Sequence, residues 1–242
     1  MPRIKLIIEY DGSAYGGWQK QINSKTIQGE LERAIAIVCK EPVLVTGAGR
    51  TDSGVHARNQ VAHCDVPEKT DLTKLLKSVN GLVNNDIVVK RIENCKADFH
   101  ARYDAKSRIY KYYISKTPTA VNRNFAWYIS YPLNVTLMQK AAQQIERINN
   151  FKSFCKAHSS NKTFECQVTK SSFFINNETL VYEIAANRFL YGMVRAIVGT
   201  LVQIGSGKIK PDDLISIAEA KDRSKVKMNA PAKGLILEQV DY

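Results

Sequence analysis

Apolar positions recur along this chain with two periods, and the switching between them predicts its elements. Residues 3–10, RIKLIIEY, set Ile4, Leu6, Ile8 and Tyr10 against Lys5, Ile7 and Glu9, the alternation of a strand. Residues 27–39 place Ile27, Leu31, Ile35 and Val38 at helical spacing, with Ala34 beside them. Thr26 is the expected N-cap, Glu30 and Glu32 lie early, and Pro42 follows the end. PVLVTG is a short strand, and NQVAHCDV (59–66) alternates again. A helix over 71–80 opens on Asp71, and 86–91 is a strand. Residues 98–116 hold two strand-like runs around a basic turn, and 116–125, with Pro118 and several Asn, form a loop.

The second part of the chain continues with a helix from Thr136, with Gln139 three residues on as in a capping box and Leu137, Ala141, Ile145 and Ile148 as its buried stripe. Residues 171–175 and 179–185 predict a hairpin turning at Asn176–Asn177. A long helix spans 189–204 with Asn187 as its cap, a shorter one spans 211–220 from Pro211, and GLILEQVDY closes the chain as a strand. Strands and helices do not alternate in the regular manner of a parallel sheet. The order predicts an α+β fold of two halves, 1–104 and 105–242, with mostly antiparallel sheets and helices on one side. No low-complexity linker separates the halves, so they are expected to pack closely around a cleft.

Composition narrows the partner. Hydrophobic residues make up 44% of the chain, enough for a sizeable core. Lys and Arg outnumber Asp and Glu by 35 to 23, and a surplus of twelve positive charges points to a polyanion, nucleic acid first. A merely basic surface is the plainer reading. No secretory leader is visible at the N-terminus, and the longest apolar run, 189–205, is short for a membrane span and contains Arg195. Five scattered cysteines without a CxxC pair indicate neither a zinc site nor a disulfide framework, and the expected location is a reducing cytoplasm.

The chemistry concentrates in GAGRTDSGVHARNQVAH, residues 47–63. It is neither a dinucleotide fingerprint, since Asp52 stands where Gly is needed, nor a P-loop, since no GK[ST] follows. His56, His63, Cys64 and His100 lack metal-site spacing. Arg50 and Asp52 share a glycine-flanked turn, and a guanidinium nearby favours the ionised carboxylate, which suits a nucleophile and not a general acid. A turn-capping Asp is the alternative. Arg195 is the sole charge in an apolar helix, so it needs an anion, and Asp52 is the candidate; an Arg snorkelling from a helix edge is the alternative. Tyr191 and Gly199 lie four residues to either side of Arg195 and would share its face, leaving room for another backbone or a ligand. In RIYKYYIS, Tyr110 and Tyr112 share a strand face with Ile114, and a tyrosine facing a cleft either stacks on a flipped base or serves the core. In YDGSAYGGWQKQ, Tyr15 and Trp18 sit among glycines beside Lys20; Trp18 either stacks on a base or anchors the loop.

Taken together these stretches resemble the TruA-type tRNA pseudouridine synthases. YDGSAYGGWQKQ is similar to that family's first motif, GRTDSGVHARNQVAH to its catalytic motif, and FHAR with RIYKYYI to its third. FLYGMVRAIVG and APAKGLILEQVDY are similar to its fourth motif and C-terminal signature. The resemblance implies two related α+β halves with a catalytic cleft between them, a homodimer, no metal or organic cofactor, and isomerisation of uridine to pseudouridine at positions 38, 39 and 40 in the anticodon arm of tRNA. It implies Asp52 as nucleophile, Tyr110 as the tyrosine that stacks on the target base, and Arg195 as the cation paired with Asp52. It further implies Arg50 in base flipping and RNA contact; Arg58 in the second of these motifs and Trp18 and Lys20 in the first are candidate substrate contacts beside it. NNFKSF departs from the family's HDF-x-SF, placing Asn150 where an Asp is common. Two rivals stand beside this reading: a tRNA-binding module without catalysis, and a nucleoside hydrolase, which would want two carboxylates where the motif offers one.

Overall fold

The computed structural model describes residues 1–157, 159 and 161–242. The chain forms two compact units, Met1–Lys106 together with Leu237–Tyr242, and Ser107–Ile236. The first unit is not contiguous in sequence, since the last six residues belong to it.

In the first unit β1 (Arg3–Tyr10) is followed by α1 (Ile27–Cys39), a two-residue β2 (Thr46–Gly47), β3 (His56–Asp65), α2 (Leu72–Leu82) and β4 (Ile87–Asn94). The chain's last strand, β9 (Leu235–Asp241), completes this sheet in the order β4–β1–β3–β9. Strand β1 runs antiparallel to both neighbours, with Arg3 opposite Asp65 and Ile4 opposite Asn94. Its alternation holds as expected: Ile4, Leu6, Ile8 and Tyr10 are buried. Helix α1 starts where Thr26 Oγ1 accepts from Gly29 N, and α2 starts where Asp71 accepts from Thr73 N and Lys74 N. PVLVTG is mostly extended chain outside the sheet, with only Thr46 and Gly47 pairing to β3. Residues 98–104 are turns, not a strand.

In the second unit β5 (Ser107–Ser115), β8 (Thr179–Ala186) and β7 (Val168–Asn176) lie side by side in that order, antiparallel, and the short β6 (Trp127–Tyr128) runs parallel to β5. The hairpin turns one residue later than expected, because Asn176 pairs with Thr179 and Asn177 and Glu178 take the left-handed conformation, φ 43° and 65°. Helix α3 (Val135–Ile145) is capped by Asn134, whose side chain accepts from Leu137 N at 3.0 Å. The expected capping box at Thr136 is absent; Gln139 Oε1 instead accepts from Phe173 N on β7 at 2.7 Å, and Glu146 does the same for Ser171 N. The stripe shifts accordingly: Met138 is buried in place of Leu137. Helix α4 (Met193–Gly205) begins four residues later than expected, since Gly192 stands at its N-cap with φ 72°. Asn187 is no cap; its Oδ1 accepts from Gln167 N at 2.9 Å. Helix α5 (Asp213–Glu219) is short. Among the described residues no helix is long and apolar enough to cross a membrane.

Candidate active site

Asp52 sits on the turn between β2 and β3, half-buried, and the turn is locked to the loop after β1. Trp18 N donates to Thr51 O at 3.1 Å, and Tyr10 and Thr51 join their hydroxyls at 2.8 Å. Ser53 Oγ donates to Tyr15 O at 3.1 Å, and Gly12 N donates to His56 Nδ1 at 3.1 Å. Within the turn, Val55 N donates to Asp52 O at 3.1 Å. Thus the residue before the aspartate and the one after it are both bonded to the first motif. The two backbones touch as well: a Cβ on Gly17 would lie 2.6 Å from Thr51 O and one on Gly12 would lie 2.0 Å from Val55 O. His56 is buried, with Nδ1 3.0 Å from Asp11 Oδ1. Partial burial pushes the Asp11 carboxyl up, but bonds from Ser13 and the His56 ring outweigh it and hold it below its ordinary value. Burial raises the Tyr10 phenol well above its ordinary value, so its hydroxyl stays protonated and available to Thr51.

The substrate contacts expected in this unit differ in kind. Arg50 is exposed, and among the described residues it makes no hydrogen bond or ion pair. Lys20 is ion-paired to Glu32 at 2.9 Å, and Arg58 to Glu238 at 3.2 Å. Trp18 is 2% exposed, with its indole so close under Gly47 that a Cβ there would lie 2.6 Å away. It anchors the loop and presents no face to a base, which corrects its reading as a substrate contact. Glu32 was legible only as an early helix acid; buried on α1, it also accepts from Gln28 Nε2 and Val45 N and so ties the first motif to the strand leading into the Asp52 turn.

Tyr110 and Arg195 belong to the second unit. Tyr110 lies on the buried face of β5 with Tyr112 and Ile114, and the Phe189 ring meets it edge-on at 5.1 Å. Arg195, in the first turn of α4, is half-buried. Its Nε donates to Ala230 O at 2.8 Å, and Ala230 N donates back to Arg195 O at 2.9 Å. One turn on, a Cβ at Gly199 would lie 2.3 Å from Met228 O. The small residue therefore admits a backbone, as expected of this face. Tyr191 is not part of that face: it precedes the helix, 46% exposed, its hydroxyl accepting from Lys156 Nζ at 3.2 Å. Tyr112 Oη donates to Pro231 O at 2.8 Å, and its ring lies against Gly234. So RIYKYYI, the start of α4 and APAKG are joined by hydrogen bonds within the second unit, as the first two motifs are within the first.

Asn150, at the departure from HDF-x-SF, accepts from Lys152 N at 3.1 Å and serves as a turn former. Among the described residues no group of three or more His, Cys, Asp or Glu could hold a metal ion.

Comparisons with known proteins agree with these motifs. The sequence model of a family described as tRNA pseudouridine synthase matches residues 6–104 and 141–242. A protein of Caldicellulosiruptor bescii called tRNA pseudouridine synthase A is 43% identical over 244 residues, covering the whole of both chains. A protein of that name from a Thermoanaerobacter species is 43% identical over 250 residues, again over the whole of both. One from Porphyromonas gingivalis is 41% identical, covering all of this chain and 98% of its own.

Proposed function

The chain belongs to the tRNA pseudouridine synthase family, and from that premise we propose that it isomerises uridine to pseudouridine in tRNA, at positions 38, 39 and 40 of the anticodon arm, with Asp52 as nucleophile. The observation that carries this reading is the fixing of the Asp52 turn on both sides, through Thr51 and Ser53, to the loop of the first motif. These bonds restrain the backbone that carries the carboxylate, and restraint of a reacting group is one way that proximity lowers a barrier.

The target uridine leaves its stack, with Arg50, exposed beside the turn, assisting at the phosphate. Asp52 attacks the nucleotide, at C1′ or at the base. The N1–C1′ bond breaks, the uracil rotates while bound, and C5 bonds to C1′ as the bond to Asp52 breaks and its carboxylate is restored. The C5 proton then leaves and N1 regains one, so the product is an isomer and neither water nor a redox partner is consumed. Tyr110 stacks on the turning base and is the candidate to receive the C5 proton. Arg195 is the cation this reading assigns to the reaction, and its carbonyl and Nε bonds to Ala230 hold its stem in place. Lys20 and Arg58 reach the RNA backbone. We place the enzyme in the cytoplasm, where its five free thiols would stay reduced, and as a homodimer, on the strength of the family resemblance.

The test uses tRNA carrying tritium at uridine C5. The wild-type protein releases tritium, and Asp52→Ala, still folded by circular dichroism, loses at least about three orders of magnitude of rate. Tight tRNA binding with no release from any tRNA would replace this reading with a binding module, and free uracil as product would replace it with a hydrolase.

A further inference from the structure

FHAR, residues 99–102, was singled out in the sequence but has no part in the chemistry above. In the structure it opens a tightly bonded turn. His100 N donates to Asp104 Oδ2 at 2.8 Å, and Asp104 N donates to His100 O at 3.0 Å. His100 Nδ1 accepts from Arg102 N at 3.2 Å and Tyr103 N at 3.3 Å. The turn is tied to its unit at Ala101, whose N–H donates to His63 Nδ1 at 3.1 Å and whose carbonyl accepts from Tyr242 Oη at 2.7 Å.

These bonds bring three rings into contact, with His63 and His100 tilted 59° from one another. His63, buried on β3, lies 4.8 Å from His100, and His100 lies 4.3 Å from Tyr103 with the planes 32° apart. Burial, then the charges of Arg3 and His100, push the His63 imidazole below its ordinary pKa, which favours the neutral ring whose Nδ1 accepts from Ala101 N. The outer ring, Tyr103, is 75% exposed. A large aromatic left in water on a mobile tip would mean little. One held by a bonded turn, with the His100 ring against it, is a fixed aromatic surface.

We propose that Tyr103 is a stacking platform for a nucleobase of the RNA substrate other than the reacting uridine. The proposal rests on the tRNA-modifying reading of this chain. The chemistry around the ring favours a base over a protein side chain. Arg102 places its guanidinium carbon 5.8 Å from the Tyr103 ring centre, and Lys106 is exposed nearby in sequence, so the platform carries cations for a phosphate beside a π-face for a base. Its acidic neighbour Asp104 is bonded back into the turn, while Asp98 is exposed. The turn adds no other large apolar side chain that is exposed, as a protein-docking surface would.

The experiment measures tRNA binding directly and tritium release in parallel for the wild type and for Tyr103→Ala, Tyr103→Leu and Tyr103→Trp. Tyr103→Ala weakens binding and raises KM by about five- to a hundredfold, with kcat at saturation within about twofold. Tyr103→Trp restores both, and Tyr103→Leu does not. Unchanged binding and KM in Tyr103→Ala overturns the platform, as does rescue by leucine equal to that by tryptophan, or an altered oligomeric state with unchanged affinity. If the wild type binds tRNA and Tyr103→Ala weakens it while no tritium is released, the platform stands and the synthase reading falls. If the wild type binds no tRNA, both fall.

Discussion

Gly17 carries a backbone that no other residue could hold at low cost. Its φ is 98°, and an added Cβ would lie 2.6 Å from Thr51 O and 3.1 Å from Asp52 C. Gly17→Ala is therefore penalised twice, by the left-handed conformation and by collision with an immobile carbonyl, for about 1–3 kcal/mol together at the least. The strain falls on the Asp52 turn, so kcat for tritium release should drop more than tenfold while circular dichroism at low temperature is unchanged. Urea unfolding gives the stability loss, and a full-rate Gly17→Ala enzyme would show that the turn is not held from this side. In the sequence Gly17 is one of several glycines around Tyr15 and Trp18, whereas its structural role is close approach. The same limit applies to Trp18. An aromatic among glycines predicts a contact but not with what, because that depends on Gly47, nearly thirty residues away and visible as a partner only after folding. Asp52 and Arg195 stand out as candidates because each breaks the pattern around it, an acid in a small-residue turn and a cation in an apolar helix, whereas Tyr110 shares its strand face with Tyr112 and is singled out only by the family resemblance.

Helix α4 shows what period can and cannot tell. Its apolar run predicts a buried helix, and eleven of its residues are buried. Its start was misplaced because hydrophobicity continues through 189–192, while Gly192, at φ 72°, delays the helix. Edges fail for a similar reason elsewhere: Gln139 reads as half of a capping box, but the β7 edge offers its N–H as a better-placed donor. Gly199 makes the packing of α4 testable. Its φ is ordinary, so the 2.3 Å approach to Met228 O is the whole penalty, and Gly199→Ala should cost about 1–3 kcal/mol and separate Ala230 from Arg195. Gly81, in α2, supplies the opposite sign. Nothing lies within 4 Å of a Cβ there, so Gly81→Ala should stabilise by about 0.5–1 kcal/mol through helix propensity. Thermal melts of the pair decide it; equal shifts would mean that the contact with residue 228 yields freely.

At the scale of the whole chain, the α+β character was legible from the lack of strand–helix alternation, but the return of Leu237–Tyr242 to the first unit was not, because a terminal strand's periodicity does not name its partner. Charge is likewise only partly readable. The surplus of twelve says that a polyanion is attracted, and binding by released counterions should weaken linearly with log salt. It does not say which cations contribute, and here the ion pairs decide. Arg50 is exposed and makes no ion pair among the described residues, so a phosphate meeting it neutralises a full charge and frees a full counterion. Lys20 and Arg58 already face Glu32 and Glu238, so a phosphate there must compete with a carboxylate and fewer counterions are released. Removing Arg50 as Arg50→Ala should thus lower the salt slope of tRNA binding by about one. Lys20→Ala and Arg58→Ala should each lower it by less than about half that. Binding measured across a salt series for the three variants tests the order. Equal slopes would mean that the two carboxylates release their partners on RNA contact, and that the charge pattern of the free protein does not govern how it meets RNA.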